Sequence, residues 1–124
     1  MEIEVLKRYT KGEISIIELL LKSKMAYKTL KTIYELNNQK RLSIGVRQLG
    51  EMLGYKNVIS RILKIFQSED IINFVNERIF DKKKSRKVAY LTPKGEILFK
   101  QVKKRKIMIL KKKLEMIKRE LKEL

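Results

Sequence analysis

Between residues 57 and 67 the chain sets Asn57, Ser60, Arg61, Lys64 and Gln67 at helical spacing, with no carboxylate among them. These side-chain types read nucleic acid. An arginine at position 61 can grip guanine O6 and N7 with two hydrogen bonds, Asn57 and Gln67 suit adenine N6 and N7, and Ser60 suits either. Lys64 and the neighbouring Lys56 suit phosphate oxygens, which set register rather than sequence. Ile59, Ile62, Leu63 and Phe66 repeat on the other side of the same stretch and make an apolar anchor.

Two other groups belong to the same chemistry. Arg47, Gln48 and Tyr55 precede the stretch, at the start of one predicted helix and in a turn, where phosphate or sugar contacts are made. For Tyr55 the alternative is packing over the turn. Downstream, "DKKKSRK" places Lys82, Lys83, Lys84, Arg86 and Lys87 within six positions, with Asp81 the one acid beside them. Such a tip lies on phosphates or in a minor groove, or it is a solubilising turn.

Other chemistry has little to work with. The 124 residues contain no Cys and no His, and the aspartates are Asp70 and Asp81. Thiol nucleophiles, thiolate or imidazole metal sites and a neutral-pH proton shuttle are therefore excluded. The five glycines stand singly, so no phosphate-binding glycine loop exists. The expectation is a binding protein without cofactor or metal, not an enzyme; no small-molecule effector is indicated. The 31 basic against 14 acidic residues give a net charge of +17, which favours an extended polyanion as partner. No apolar run is long enough to span a membrane, and "MEIEVLKRYTKGE" has no signal-peptide pattern. A cytoplasmic, nucleoid-associated protein is expected. Heavy Lys, Ile and Glu usage suits a thermophile, and an AT-rich genome gives the same bias.

The positioning elements follow from periodicity and punctuation. Residues 1–11 read as strand or helix, closed by Gly12. From Glu13 to about Asn37 nothing breaks a helix, and Ile16, Leu19, Leu20, Ala26, Leu30 and Ile33 share one face. Ile14, Ile17, Leu21 and Met25 form a second apolar row, expected to meet a partner subunit; alternatively Ser23 caps a second helix from Lys24. "NNQK" reads as a loop and "RLSI" as a short strand. Gly45 suits an N-cap with Gln48 at the capping-box position, and Gly54 suits that helix's end. A helix from about Asn57 to Glu69 precedes two strands, "IINFV" and "VAYLT", around the basic tip. "TPKGE" then starts a helix, with Thr92 as cap and Pro93 as first residue.

"VRQLGEMLGYKNVISRILKIFQSEDII" followed by "RKVAYLTPKGEILFK" resembles a winged helix-turn-helix of the MarR/PadR type, including related small archaeal DNA-binding proteins. The resemblance spans about residues 24 to 100, and "YLTPKGEILF" is its most specific part. The turn between Leu53 and Ser60 departs from the commonest pattern by about one residue. The resemblance implies a mainly α fold with a small β-hairpin wing (α+β), double-stranded DNA as partner, and two-fold homodimers on palindromic sites.

The last helix is expected to run about 31 residues, roughly 45 Å at 1.5 Å per residue, too long to be covered by the rest of the chain. Ile107, Leu110, Leu114, Ile117 and Leu121 repeat at three- and four-residue steps, a heptad seam for a second copy. A parallel pairing sets Lys106 beside Lys111 and Lys113 beside Lys118. Antiparallel crossing brings Lys106 near Glu120, so that arrangement, or packing on the partner's N-terminal helix, is expected. The division is a DNA-binding unit with its N-terminal extension at 1–92 and a coiled-coil-like dimerisation helix at 93–124. The reading is a sequence-specific transcription regulator. The alternatives are an architectural chromatin or DNA-partition protein of low specificity and a winged-helix protein–protein adaptor.

Overall fold

The computed structural model describes residues 2–40, 42–78 and 85–124. Helices α1 (Glu2–Thr10), α2 (Ile16–Lys22) and α3 (Lys24–Tyr34) lead through a π-helical turn (Glu35–Gln39) to strand β1 (Ile44–Gly45). Helices α4 (Val46–Leu53) and α5 (Lys56–Ser68), strands β2 (Ile72–Arg78) and β3 (Ser85–Leu91), and helix α6 (Pro93–Glu123) follow. The sheet is antiparallel in the order β1-β3-β2.

The ambiguous N-terminus is a helix. Leu6 is buried, and Val5 and Tyr9 pack on the core, so one helical face decides between strand and helix. The unbroken helix expected from Glu13 to Asn37 does not form. It breaks at Ser23, whose backbone is extended (φ −95°, ψ 111°). Ser23 N–H closes α2 on the Leu19 carbonyl at 2.8 Å, while Ser23 Oγ accepts from Ala26 N–H at 3.0 Å and opens α3. The same hydroxyl donates to the Glu2 carboxylate, which also accepts from Lys24 N–H at 3.1 Å. A capping serine in mid-helix is costly unless its polar groups are satisfied; here α1 satisfies them. The break also changes the fate of the second apolar row. Ile14 is buried, and Ile17, Leu21 and Met25 are half-buried against the core of their own chain.

The core lies where α3, α5, the sheet and the start of α6 meet. Phe66 and Phe99 are its largest buried side chains, and the Phe99 ring stacks near Tyr34 at 4.5 Å and Tyr27 at 5.8 Å. Asn37 stitches the π-helical turn to the sheet, accepting from Leu91 N–H at 2.8 Å and donating to the Leu42 carbonyl at 2.9 Å. The "LTPKG" segment is fastened to the turn after α5. Thr92 Oγ1 caps α6 by accepting from Gly95 N–H at 2.9 Å, and its proton is shared between the Asp70 and Ile71 carbonyls at 2.6 and 2.9 Å. Lys94 Nζ reaches the Glu69 carbonyl at 2.9 Å.

The far end of α1 is tied to the same turn. Tyr9 donates its hydroxyl to the Glu69 carboxylate. Burial, then that carboxylate, push the phenol up to about 12 from its ordinary 10. The folded state therefore favours the neutral phenol. Its contribution is complete below pH 10 and is lost as pH rises from 10 to 12. Urea titrations across that window should show stability falling less steeply in Tyr9→Phe than in the unaltered protein. Parallel curves would contradict the assignment.

Candidate nucleic-acid interface

The two helices of the helix-turn-helix are joined by Gly54 and Tyr55 alone. Gly54 takes the left-handed conformation (φ 84°) and closes α4 by donating to the Gly50 carbonyl at 2.9 Å. Only glycine enters that region without strain, and this is how the short turn is made. At Gly50 a Cβ would lie 3.4 Å from Lys56 Cγ, an ordinary van der Waals contact, so the short turn rests on Gly54. Helix α5 consequently starts at Lys56, one residue before the expected Asn57. At the start of α4, Gly45 N–H donates to Gln48 Oε1 at 3.3 Å, the capping-box contact expected from the spacing.

Helix α5 has two distinct faces. Ile59, Ile62, Leu63 and Phe66 are at most 1% exposed. Asn57, Ser60, Arg61, Lys64 and Gln67 are all exposed. Among the described residues, Arg61 and Lys64 make no ion pair, and the carboxylate of Glu51 reaches Lys56 at 3.9 Å. Tyr55 is 63% exposed, so it projects from the turn instead of packing over it.

An open groove separates this face from the wing. Its walls are the start of α4 (Arg47, Gln48), the start of α5 (Lys56, Ser60) and β3 (Arg86, Lys87), over an apolar floor that includes Ile59 and Leu63. Three chain segments thus bring four cations to one trough. Lys87 Nζ lies 4.1 Å from the centroid of the Phe74 ring, a cation–π contact that steadies it at the wing's base. Arg86 is half-buried and donates to Gln48 Oε1 at 3.1 Å and Ser43 Oγ at 3.2 Å. Ser43 has no sequence signal for this position, since 43 residues separate it from Arg86. Lys82, Lys83 and Lys84 lie outside the described residues.

The seam residues stand apart from this site. Ile107, Leu110, Leu114, Ile117 and Leu121 are 43–64% exposed on α6, beyond its last fully buried side chain, Val102. Lys106, at the start of the exposed stretch, is half-buried with Nζ 4.1 Å from the Tyr27 ring centroid. Burial and the nearby Lys24 hold its pKa below the ordinary lysine value.

Among the described residues no group of His, Cys, Asp and Glu is placed to hold a metal ion, and no helix is long and apolar enough to cross a membrane. No family model and no curated protein matches the chain. Solved structures do. The RV1404 protein of Mycobacterium tuberculosis superposes with a TM-score of 0.56 at 15% identity, over 93% of this chain and 67% of that one. A MarR family transcriptional regulator from Silicibacter pomeroyi superposes with a TM-score of 0.47 at 14% identity, over 94% and 78%. At such identities the likeness to RV1404 is one of fold. Two short-coupled helices, a three-stranded antiparallel sheet and a long closing helix make this chain a winged helix-turn-helix, mainly α with a small β wing.

Proposed function

We propose that the chain is a homodimeric, sequence-specific double-stranded DNA-binding transcription regulator. The observation that carries this is the exposed, acid-free polar face of α5 standing on a fully buried anchor, beside a groove with cations on three sides. A major groove about 12 Å wide admits one such helix. In this reading Arg61, Asn57, Gln67 and Ser60 meet base edges. Lys64, Lys56, Arg47, Gln48, Tyr55 and Lys87 hold phosphate or sugar and set the register. Lys82, Lys83 and Lys84 extend the wing to the flanking backbone, a role supported by their sequence position. The exposed stripe on α6 takes a second copy. Two recognition helices then reach successive major grooves about 34 Å apart. Occupancy near a promoter blocks or recruits the transcription machinery.

The deciding measurement compares duplex from the protein's own upstream region with random duplex at fixed salt. Specific binding should be about 10³-fold tighter or more. Equal affinities would favour the architectural reading, which the net charge of +17 keeps in play. Negligible duplex binding would favour an adaptor. Within the regulator reading, Arg61→Ala should cost about 1–3 kcal/mol on the preferred site, relax specificity at one base pair, and leave random-duplex affinity far less affected. A uniform loss across sequences would demote Arg61 to a phosphate contact.

A further inference from the structure

We propose that Arg86 is a positioning residue, a strut that holds the wing at a set angle to the recognition helix, and not itself a phosphate contact. This rests on the DNA-binding reading above and reassigns one residue within it.

Arg86 sits on β3, one pair from the end of its ladder with β2. Its two terminal nitrogens are used in different directions: Nη1 donates to Gln48 Oε1 at 3.1 Å and Nη2 to Ser43 Oγ at 3.2 Å. Ser43 precedes β1, and Gln48 lies in the first turn of α4. One planar guanidinium therefore joins the wing to both ends of the segment that enters the helix-turn-helix. Gln48 Oε1 also accepts from Gly45 N–H at 3.3 Å, and Gly45 pairs with Val88 on β3. The contacts form a closed loop: β3 to Gln48, Gln48 to Gly45, Gly45 back to β3. With Oε1 held on two donors, Gln48 is left its amide Nε2 to offer a phosphate.

Among the described residues Arg86 makes no ion pair, and both of its acceptors are neutral. Glu77 is its direct cross-strand partner, and opposed Cβ atoms lie roughly 4.5–5.5 Å apart. Among the described residues, Glu77 Oε2 is buried without a hydrogen-bond partner. Lys87, the next residue, is exposed and free of this arrangement.

A fork that spans two acceptors cannot be replaced by a point charge. The test is therefore Arg86→Lys against Arg86→Gln, with duplex affinity followed over a salt series and amide exchange of β2 and β3 followed in the free protein. Each variant should lose about tenfold in affinity for the preferred duplex. Both should keep the unaltered slope of log K against log salt, and both should exchange β2 and β3 amides faster. Lys87→Gln serves as the contrast and should lower the slope by about 0.9. The proposal is overturned if Arg86→Lys retains full affinity while Arg86→Gln flattens the salt slope, since that is a phosphate contact. It is equally overturned if exchange in the free protein is unchanged in both variants. Absence of duplex binding by the unaltered protein is a different failure: it removes the DNA reading, and the exchange measurement still decides whether the strut exists.

Discussion

Gly95→Ala should destabilise the fold by about 3 kcal/mol, the upper end of overpacking costs, although it replaces a glycine in a helix. The sign is the point. In an exposed helix interior the same change gains about 0.5–1 kcal/mol, because glycine loses more backbone freedom on folding. Gly95 has no positive φ that would demand glycine. It is buried in the first turn of α6, and a Cβ there would stand 2.2 Å from the Ile71 carbonyl oxygen and 2.8 Å from Leu91 Cδ1. The first is a backbone atom that cannot rotate away. That carbonyl is itself an acceptor for Thr92 N–H at 2.9 Å and shares the Thr92 hydroxyl, so moving it also disturbs the cap of α6. The expected readout is a large fall in urea midpoint with an unchanged slope. A neutral or stabilising result would mean that α6 shifts freely against the α5–β2 turn, and the close approach would not be a constraint.

Replacing Leu114 and Ile117 together by lysine should convert a dimer into a monomer by light scattering while leaving the winged domain as stable as before. Both residues lie about half exposed, at 52% and 54%, beyond the last buried position of α6. They contribute little within their own chain, and in the proposed dimer a second copy buries them. Two buried, unpaired ammonium groups per helix are far more costly than any packing the seam supplies. Duplex affinity should fall about 10²-fold or more, because the second recognition helix no longer benefits from tethering. The matched control, Lys112→Ala with Arg119→Ala, alters charge on the side of α6 away from the seam and should leave the dimer intact. A dimer that survives the lysine pair refutes the seam. Its surface would then have to pair elsewhere, with the N-terminal helices the first place to look.

Much of the candidate interface was legible before any tertiary information. The anchor and the polar face of α5 follow from helical periodicity over one continuous segment. The Gly45–Gln48 capping contact and the Thr92–Pro93 helix start are short-range signals, each complete within four residues. The wing hairpin follows from two β-rich runs around a basic tip, and the register that joins them keeps Val75 opposite Val88. Helix α6 needs only the absence of a breaker after Pro93.

What only the tertiary structure decided has one physical character: polar groups satisfied by partners far along the chain. Ser23 could be read as the middle of a helix or as a cap, and the Glu2 carboxylate, 21 residues away, resolves the choice by accepting its hydroxyl. Arg86 was one more cation of a basic tip until Gln48 and Ser43, 38 and 43 residues away, took its two nitrogens. Gly95 lies in the first turn of α6 with no sequence signal that marks it as required, and its necessity lies in the carbonyl of Ile71. Apolar faces announce themselves because burial imposes a period on the sequence. A single hydrogen bond or a single close approach imposes none, so the sequence determined the elements and their buried faces, while the structure decided where α2 ends, what Arg86 holds, and why Gly95 must lack a side chain.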